Sequence, residues 1–396
     1  MDKRFYLMRK NDIVTFLLLD EQGGIAKYSP VDENLDIAPL QYRYQPTWIR
    51  DWWNDRSVPI GQGKIKAYLE KRGFNLPSEY LVRNLGLSLT DYFWIKPVDS
   101  NLKWEDVNLF DNPFKEHIIH FENEKDDDET GVPHYSPNGS LQGQIEKTWA
   151  IMNDNDRVLI KGNRSNLSSE SINEIIATEI HKLQGYDNYT PYHLIKILDS
   201  EYDFGCYSKL FTDQNNEMVS AYALYTSEKI KNNISPLEHL LEMCEKYGMD
   251  RAEVQRNLDY EIMVDFIMSG YDRHLNNIGF IRDAKTLKFK GMAPIFDSGG
   301  AFFVDKAKPR SKKDYYKLKT NSFFSDEITL LEHVENRDVL DLSKLPPASV
   351  IIDLYMKDSQ IDEKYAKSVG TWYEKKIEMC SQFQRGQDLK KQVYGL

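Results

Sequence analysis

The sequence predicts an α+β protein of two lobes, a small β-rich one followed by a larger helical one, with an extra N-terminal α+β subdomain ahead of both. Three observations carry this reading. A strand–turn–strand pattern spans 147–161, the chain beyond about residue 225 is mainly helical in its apolar periodicity, and a sharp change of composition between Phe121 and Gly143 separates both from what precedes. In that change Glu122, Glu124, Asp126, Asp127, Asp128 and Glu129 crowd together and Gly131, Pro133, Pro137 and Gly139 follow, which is the chemistry of a surface connection. The resulting division is 1–125, 126–216 and 217–396, consistent with 396 residues at ~100–200 per domain.

Composition narrows the function. Lys and Arg number 51 against 62 Asp and Glu, a net charge of −11, so no global basic field exists to hold a phosphate backbone and direct nucleic-acid binding is not expected. The three cysteines, Cys206, Cys244 and Cys380, are far apart and form neither a disulfide framework nor a four-ligand zinc site, which fits a reducing, cytoplasmic setting. The apolar run Ile13–Leu19 is far short of the ~20 residues that span a bilayer and reads as a strand; no membrane association is expected.

Within 1–125 the aromatic group Trp48, Trp52 and Trp53 is followed by a helix over 62–72, and Leu81–Phe110 carries Leu85, Leu87, Leu89, Tyr92, Trp94 and Ile95. No chemistry is visible there: His117 and His120 share a helical spacing but lack a third ligand. In the next segment Lys147–Met152 and Arg157–Lys161 read as strands joined by the turn Asn153–Asp156. A helix over 171–183 places Ile172, Ile175, Ile176, Ile180 and Leu183 on one face, with Gly185 just past its end. Strands are expected at 192–198 and 205–212, and helices at 235–247, 250–269, 325–334, 347–357 and 362–392. A β-rich lobe joined by a short polar strap to a helical lobe is the shape of a kinase.

Four pieces then occur in the order that phosphoryl transfer to a hydroxyl requires, a reaction that needs cradled phosphates, a cation clamp, Mg²⁺ ligands and a carboxylate beside the acceptor oxygen. The first is Gly139–Lys147, where Gly139 and Gly143 allow close backbone approach to phosphate oxygens. The second is Val158-Leu159-Ile160-Lys161, a β-branched strand ending in a lysine, ahead of a helix bearing Glu170, Glu174 and Glu179; Glu174 is the expected partner of Lys161. The third is an apolar helix running into Ser269-Gly270 and then Asp272-Arg273-His274-Leu275-Asn276-Asn277, with the Asp-x-x-x-x-Asn interval of kinase catalytic loops. The fourth is Phe296-Asp297-Ser298-Gly299-Gly300, which presents one carboxylate to Mg²⁺. Asp203-Phe204-Gly205 spells a familiar kinase triplet but precedes the catalytic loop and reads as a turn. Downstream of Asp297, Lys306, Lys308, Arg310, Lys312, Lys313, Lys317 and Lys319 outnumber Asp305 and Asp314, a basic segment beside the phosphates.

Gly139–Lys147 with Lys161, Asp272–Asn277 and Phe296-Asp297-Ser298 resembles the HipA-type serine/threonine kinases of bacteria, whose ATP loop has a Ser-x-x-Gly-x-x-x-Lys character, here Ser140 to Lys147. The likeness covers roughly 135–390 and implies a two-lobe protein-kinase-like fold using ATP and Mg²⁺. It implies Asp272 as catalytic base, Asn277 and Asp297 as Mg²⁺ ligands, Lys161 as the phosphate-binding lysine, and Gly139, Ser140, Gly143, Lys147, Glu174 and His274 around the nucleotide, with Ser140 open to autophosphorylation. It further implies a protein substrate with a Ser or Thr acceptor and a small DNA-binding antitoxin partner. The first 125 residues match the family's first subdomain only loosely, and Asp-Arg-His-x-x-Asn also resembles phosphoinositide kinases. A lipid or small-molecule acceptor, or a non-catalytic nucleotide-binding regulator, therefore stays open as an alternative.

Overall fold

A computed structural model of the chain describes residues 3–30, 33–122, 135–152, 155–304, 306, 308–309, 311 and 313–394. Most of the acidic connection, Asn153 and Asp154 of the expected turn, and Asp305, Arg310 and Lys312 of the basic segment lie outside them.

Four strands, β1 (Lys3–Arg9), β2 (Asp12–Leu19), β3 (Ile25–Tyr28) and β4 (Phe93–Pro97), form an antiparallel sheet in the order β3-β2-β1-β4. Helices α1 (Leu40–Tyr44), α2 (Ile49–Arg56), α3 (Ile65–Lys71), α4 (Pro77–Arg83) and α5 (Trp104–Val107) accompany it. The aromatic residues noted in the sequence fill its core: Trp53, Tyr92 and Trp94 are buried. That core does not stop at the end of the unit, because Leu141 and Trp149 pack into the same apolar cluster as Trp53 and Leu81. Each buried aromatic removes ~150–250 Å² from water, so this shared cluster is a strong tie between the first unit and the lobe that follows.

The second sheet, β5 (Lys147–Met152), β6 (Asp156–Lys161), β7 (Tyr192–Lys196) and β8 (Phe204–Lys209), is antiparallel in the order β5-β6-β8-β7. In the β5–β6 hairpin Lys147 stands opposite Lys161. Helix α6 (Ser169–Gln184) ends as its sequence predicts, with Gly185 left-handed at φ +67°. Its buried residues Ile172, Ile176 and Ile180 belong to the large core of the helical lobe, so one helix is held by both lobes.

Beyond the strap at 210–215 lie α7 (Ala221–Tyr225), α8 (Pro236–Lys246), α9 (Arg251–Met268), α10 (Glu327–Leu331), α11 (Ala348–Tyr355), α12 (Glu363–Gln384) and α13 (Leu389–Tyr394). A three-stranded sheet, with β9 (Asn216–Ser220), β10 (Gly279–Asp283) and β11 (Phe289–Met292) in the order β11-β10-β9, carries the connection between lobes. Three details differ from the sequence reading. The expected helix over 362–392 is two helices, because Gly386 takes φ +80° and ends the first. The polar stretch 212–217 runs into a strand, β9, whose partner β10 is over 60 residues away and invisible to local pattern. The left-handed residue closing α9 is Ser269 at φ +53°, not Gly270, where a Cβ would sit tightly, 3.0 Å from Asp265 Oδ1. Among the described residues no helix is long and apolar enough to cross a membrane.

A buried charge cluster joins the first unit to the sheet beyond the strap. Glu217 Oε1 on β9 accepts from Arg9 of β1 at 2.6 Å and from Arg282 of β10 at 2.8 Å, all three side chains nearly inaccessible. Removing one member of such a cluster strands the others without water, a cost of about 3–5 kcal/mol. Glu217→Ala is therefore expected to lower stability by that amount in denaturant titration, whereas Arg4→Ala at the exposed Arg4–Asp99 pair stays close to wild type. Similar midpoints for the two variants would refute the cluster's role.

Candidate active site

Lys161, at the end of β6, is the centre of the site. Its ammonium lies 2.6 Å from Glu174 Oε1 of α6 and 2.7 Å from Asp297 Oδ1, with the Tyr192 hydroxyl at 3.5 Å. Burial alone would depress its pKa, but the Asp297 and Glu174 carboxylates outweigh burial and hold it well above the ordinary lysine value. Asp297 shows the converse: burial would raise it, and Lys161 with Lys147 holds it well below the usual carboxylate range. Both groups are thus charged at neutral pH. The second oxygen of Glu174 accepts from the Ser298 backbone N–H at 3.0 Å, so the glutamate holds both the lysine and the chain that presents Asp297.

Asp297 sits at φ +58°, in the left-handed region that non-glycine residues adopt only when held there. What holds it is Arg273. The buried guanidinium donates to Phe296 O at 2.6 Å and Ser298 Oγ at 3.0 Å, on either side of Asp297, and to Asn277 O at 3.1 Å in the loop. Its own charge is met by Asp265 at 2.8 and 3.0 Å and by Glu261 at 3.3 Å, both on α9. One arginine therefore fixes the catalytic-type loop and the Asp297 segment to the same helix. The sequence reading gave Arg273 no role of its own; its signal was its place between Asp272 and Asn277.

Within the loop, the Asn277 side-chain amide donates to Asp272 O at 2.8 Å and its backbone N–H to His274 O at 2.7 Å. That leaves Asn277 Oδ1 as an acceptor with no donor among the described residues. The Asp272 carboxylate is partly exposed, 3.7 Å from Arg164 Nη2 and 3.4 Å from Asn321 Nδ2. Neither Arg164 nor Asn321 was singled out from sequence, since each reaches Asp272 only through the fold. His274 Nδ1 is buried without a partner among the described residues.

Asn277 Oδ1 and the Asp297 carboxylate are hard oxygen donors of the kind Mg²⁺ takes, and two protein oxygens suit an ion that keeps waters and phosphate oxygens as its other ligands. No cluster of three or more His, Cys, Asp or Glu able to hold a metal occurs among the described residues, so an all-protein cage is not the fit here. His117 instead packs its ring against Phe121 at 5.2 Å.

The loop expected to carry phosphates divides in two. Pro137–Ser140 is a 3-10 turn packed on the first unit: Gly139 is buried with its carbonyl bonded to Val58 N, and Ser140 Oγ donates to Leu87 O at 2.8 Å. Gln142-Gly143-Gln144 is the exposed part, with Gly143 at φ +93°. Among the described residues no hydrogen bond uses the backbone N–H groups of these three, and uncommitted loop amides are what a phosphate needs. Lys147 closes the loop, its ammonium 3.0 Å from Gln142 O and 4.0 Å from Asp297 Oδ2; burial depresses its pKa, against the pull of Asp297. A cleft of about 800 Å³ opens beside the loop, lined by Lys64, Gln144, Asn163, Arg164 and Ser165 among others. Asp203 accepts from the Ser359 backbone N–H and hydroxyl at a bend, while Phe204 and Gly205 of the same triplet already belong to β8. In the basic segment, Lys306 lies over the Tyr271 ring and Lys308 over Tyr365.

No family model matches the chain, and no curated protein does. Among solved structures it is similar to HipA of Shewanella oneidensis MR-1, solved as a toxin–antitoxin complex with HipB and operator DNA, at 12% identity and a TM-score of 0.52 over 99% of both chains. It is also similar to the Helicobacter pylori proinflammatory kinase CtkA, at 15% identity and a TM-score of 0.43, over 61% of this chain and 94% of that one. The fold is that of a two-lobe, kinase-like protein. More narrowly, it is a HipA-like kinase fold along the whole chain.

Two outcomes follow from the charge arrangement. Lys161→Met removes the one cation bonded to both Glu174 and Asp297, leaving Lys147 at 4.0 Å from Asp297 as the nearest remaining one, and is expected to cost about 3–5 kcal/mol in denaturant titration of the ligand-free protein; an unchanged midpoint would remove Lys161 from the centre of the site. Glu261 is pushed from 4.5 up to about 7, burial outweighing the neighbouring Arg273. A carboxyl that holds its proton more tightly when folded favours the native state at low pH and loses that contribution as pH rises toward its folded pKa. Glu261→Gln is thus expected to gain stability relative to wild type between about pH 5 and about pH 8. A difference in melting temperature that does not vary with pH would contradict this.

Proposed function

We propose that the chain is an ATP- and Mg²⁺-dependent kinase of HipA type that transfers the γ-phosphoryl group to a serine or threonine hydroxyl of a protein. The observation that carries the reading is the bridge from Lys161 to both Glu174 and Asp297, with Asn277 and the flanks of Asp297 bonded to Arg273. In this reading residues 126–216 and 217–396 are the two lobes and 1–125 an added subdomain.

Lys161 and Lys147 are cations placed for the α- and β-phosphates, and the amides of Gln142–Gln144 for phosphate oxygens. Mg²⁺, held by Asn277 and Asp297, would neutralise charge on the phosphates during transfer. Asp272 accepts the proton of the acceptor hydroxyl as its oxygen bonds to the γ-phosphorus; the bond from that phosphorus to the β–γ bridging oxygen breaks, and ADP leaves with the electron pair. Arg164 Nη2, 3.7 Å from Asp272 Oδ2, helps hold the carboxylate in place. Autophosphorylation at Ser140 would require its hydroxyl to leave Leu87 O and the turn to detach from the first unit. By likeness to the HipA complex, a small DNA-binding antitoxin is the proposed partner and the cytoplasm the setting.

The test is incubation with radiolabelled ATP and Mg²⁺ beside lysate proteins, followed by phosphosite mass spectrometry. Wild type is expected to label serine or threonine, and Asp272→Ala to lower the rate by about 10²–10⁴-fold. Label confined to an organic or low-mass fraction would move the acceptor to a lipid or metabolite. ATP-dependent thermal stabilisation with no transfer at all would leave a nucleotide-binding regulator in place of the enzyme.

A further inference from the structure

The segment 57–63 of the first unit lies against the nucleotide loop. Val58 N donates to Gly139 O at 2.9 Å, and Gln142 Nε2 donates to Ser57 O at 3.0 Å. Between them Gln62, 1% exposed, donates its amide to two loop carbonyls, Leu141 O at 3.3 Å and Gly143 O at 2.9 Å. The orientation of that amide is fixed chemically, since both carbonyls can only accept; Gln62 Oε1 is left without a partner among the described residues. At Gly63, φ +37°, a Cβ would lie against Glu146, so the segment follows the loop as closely as backbone allows.

A trans peptide places its C=O and N–H on opposite sides, and no peptide bond among the described residues is cis. Tying Leu141 O to Gln62 therefore turns the N–H of Gln142 away from the first unit, and tying Gly143 O does the same for the N–H of Gln144. Lys147 holds the intervening carbonyl of Gln142. Three successive carbonyls of the loop are thus engaged, and three successive N–H groups, those of Gln142, Gly143 and Gln144, are left without an acceptor among the described residues. We propose that Gln62 is a positioning residue for nucleotide: by holding two carbonyls of the loop it presets the N–H groups of Gln142 and Gln144 to receive phosphate oxygens of ATP. This assigns work to the first unit, and it rests on the reading of 139–147 as the nucleotide loop.

The experiment compares Mg²⁺–ATP affinity by calorimetry, and kcat and KM for ATP, in wild type, Gln62→Met, Gln142→Ala and Arg72→Ala. Gln62→Met keeps the volume and removes both donated bonds; ATP affinity is expected to fall about tenfold, with KM rising more than kcat falls. Gln142→Ala removes only the exposed tie to Ser57, so folding is secure, and about a threefold loss is expected. Arg72→Ala breaks the Arg72–Glu116 pair in the same unit without touching the loop, and its ATP affinity should match wild type. Wild-type affinity in both Gln62→Met and Gln142→Ala overturns the inference while leaving the kinase reading intact. Equal losses in all three variants would assign the effect to general loosening of the unit and overturn it as well. Failure of the wild type to bind ATP would overturn the nucleotide reading and this inference together.

Discussion

The structure turns on one constraint: an ammonium buried between two carboxylates that belong to different parts of the chain. Lys161 is 13 residues from Glu174 and 136 from Asp297, and it bonds to both. A buried cation cannot go unpaired, so the end of β6, the middle of α6 and the segment after β11 must come to one point whenever the chain is folded. The backbone conformation of Asp297 follows from this. A left-handed aspartate is an uphill choice that persists where its surroundings over-determine it, and here Glu174, Tyr192 and Arg273 all bond to its own or its neighbours' backbone.

Buried ion pairs of this kind are weak evidence for high stability, because desolvating each charge consumes much of the Coulombic gain. Their value here is geometric. Arg273 demands acceptors in fixed directions, and finds them in α9, in the Asp272–Asn277 loop and around Asp297. An apolar residue of the same size would pack in this space with many relative placements of those three segments. The planar guanidinium, with its donors in a rigid fork, permits few. Glu261 illustrates the cost: burial, with the Asp265 carboxylate beside it, raises its pKa despite the neighbouring Arg273.

Much of this was legible in the sequence because it is local. The β5–β6 hairpin is signalled by two apolar runs around a polar turn, α6 by its isoleucine spacing and Gly185, and the order lysine, helix glutamate, Asp-x-x-x-x-Asn loop, aspartate by chemistry that must occur in that sequence. The choice of Glu174 over Glu170 and Glu179 lacked the helix's rotation, which only packing supplies; the structure turns Glu174 to the lysine. What was not legible is long-range. Nothing near Arg164 or Asn321 marks them as neighbours of Asp272, and β9 is a strand only because β10 pairs with it. Gly139 and Ser140 read as an open loop by composition, yet tertiary packing on Val58 and Leu87 makes them a wall.

The same long-range contacts change what the first unit is. Composition marks it off at the acidic connection, but three kinds of interaction cross that mark. Trp149 and Leu141 enter its apolar core, Arg9 pairs with Glu217 on the strand after the strap, and Gln62 holds the loop. Contacts of this kind are reciprocal. If the position of 57–63 alters the affinity of the loop for a nucleotide by some factor, nucleotide binding alters the energy of that position by the same factor. A partner that docks on the first unit and prefers one placement of this segment must therefore change nucleotide affinity, without touching the cleft and without any new contact to Lys161 or Asp297. A partner indifferent to the placement changes nothing, however tightly it binds. Control of the site from residues 1–125 thus requires no dedicated wire through the protein, only that the segment have two placements of unequal affinity for the partner.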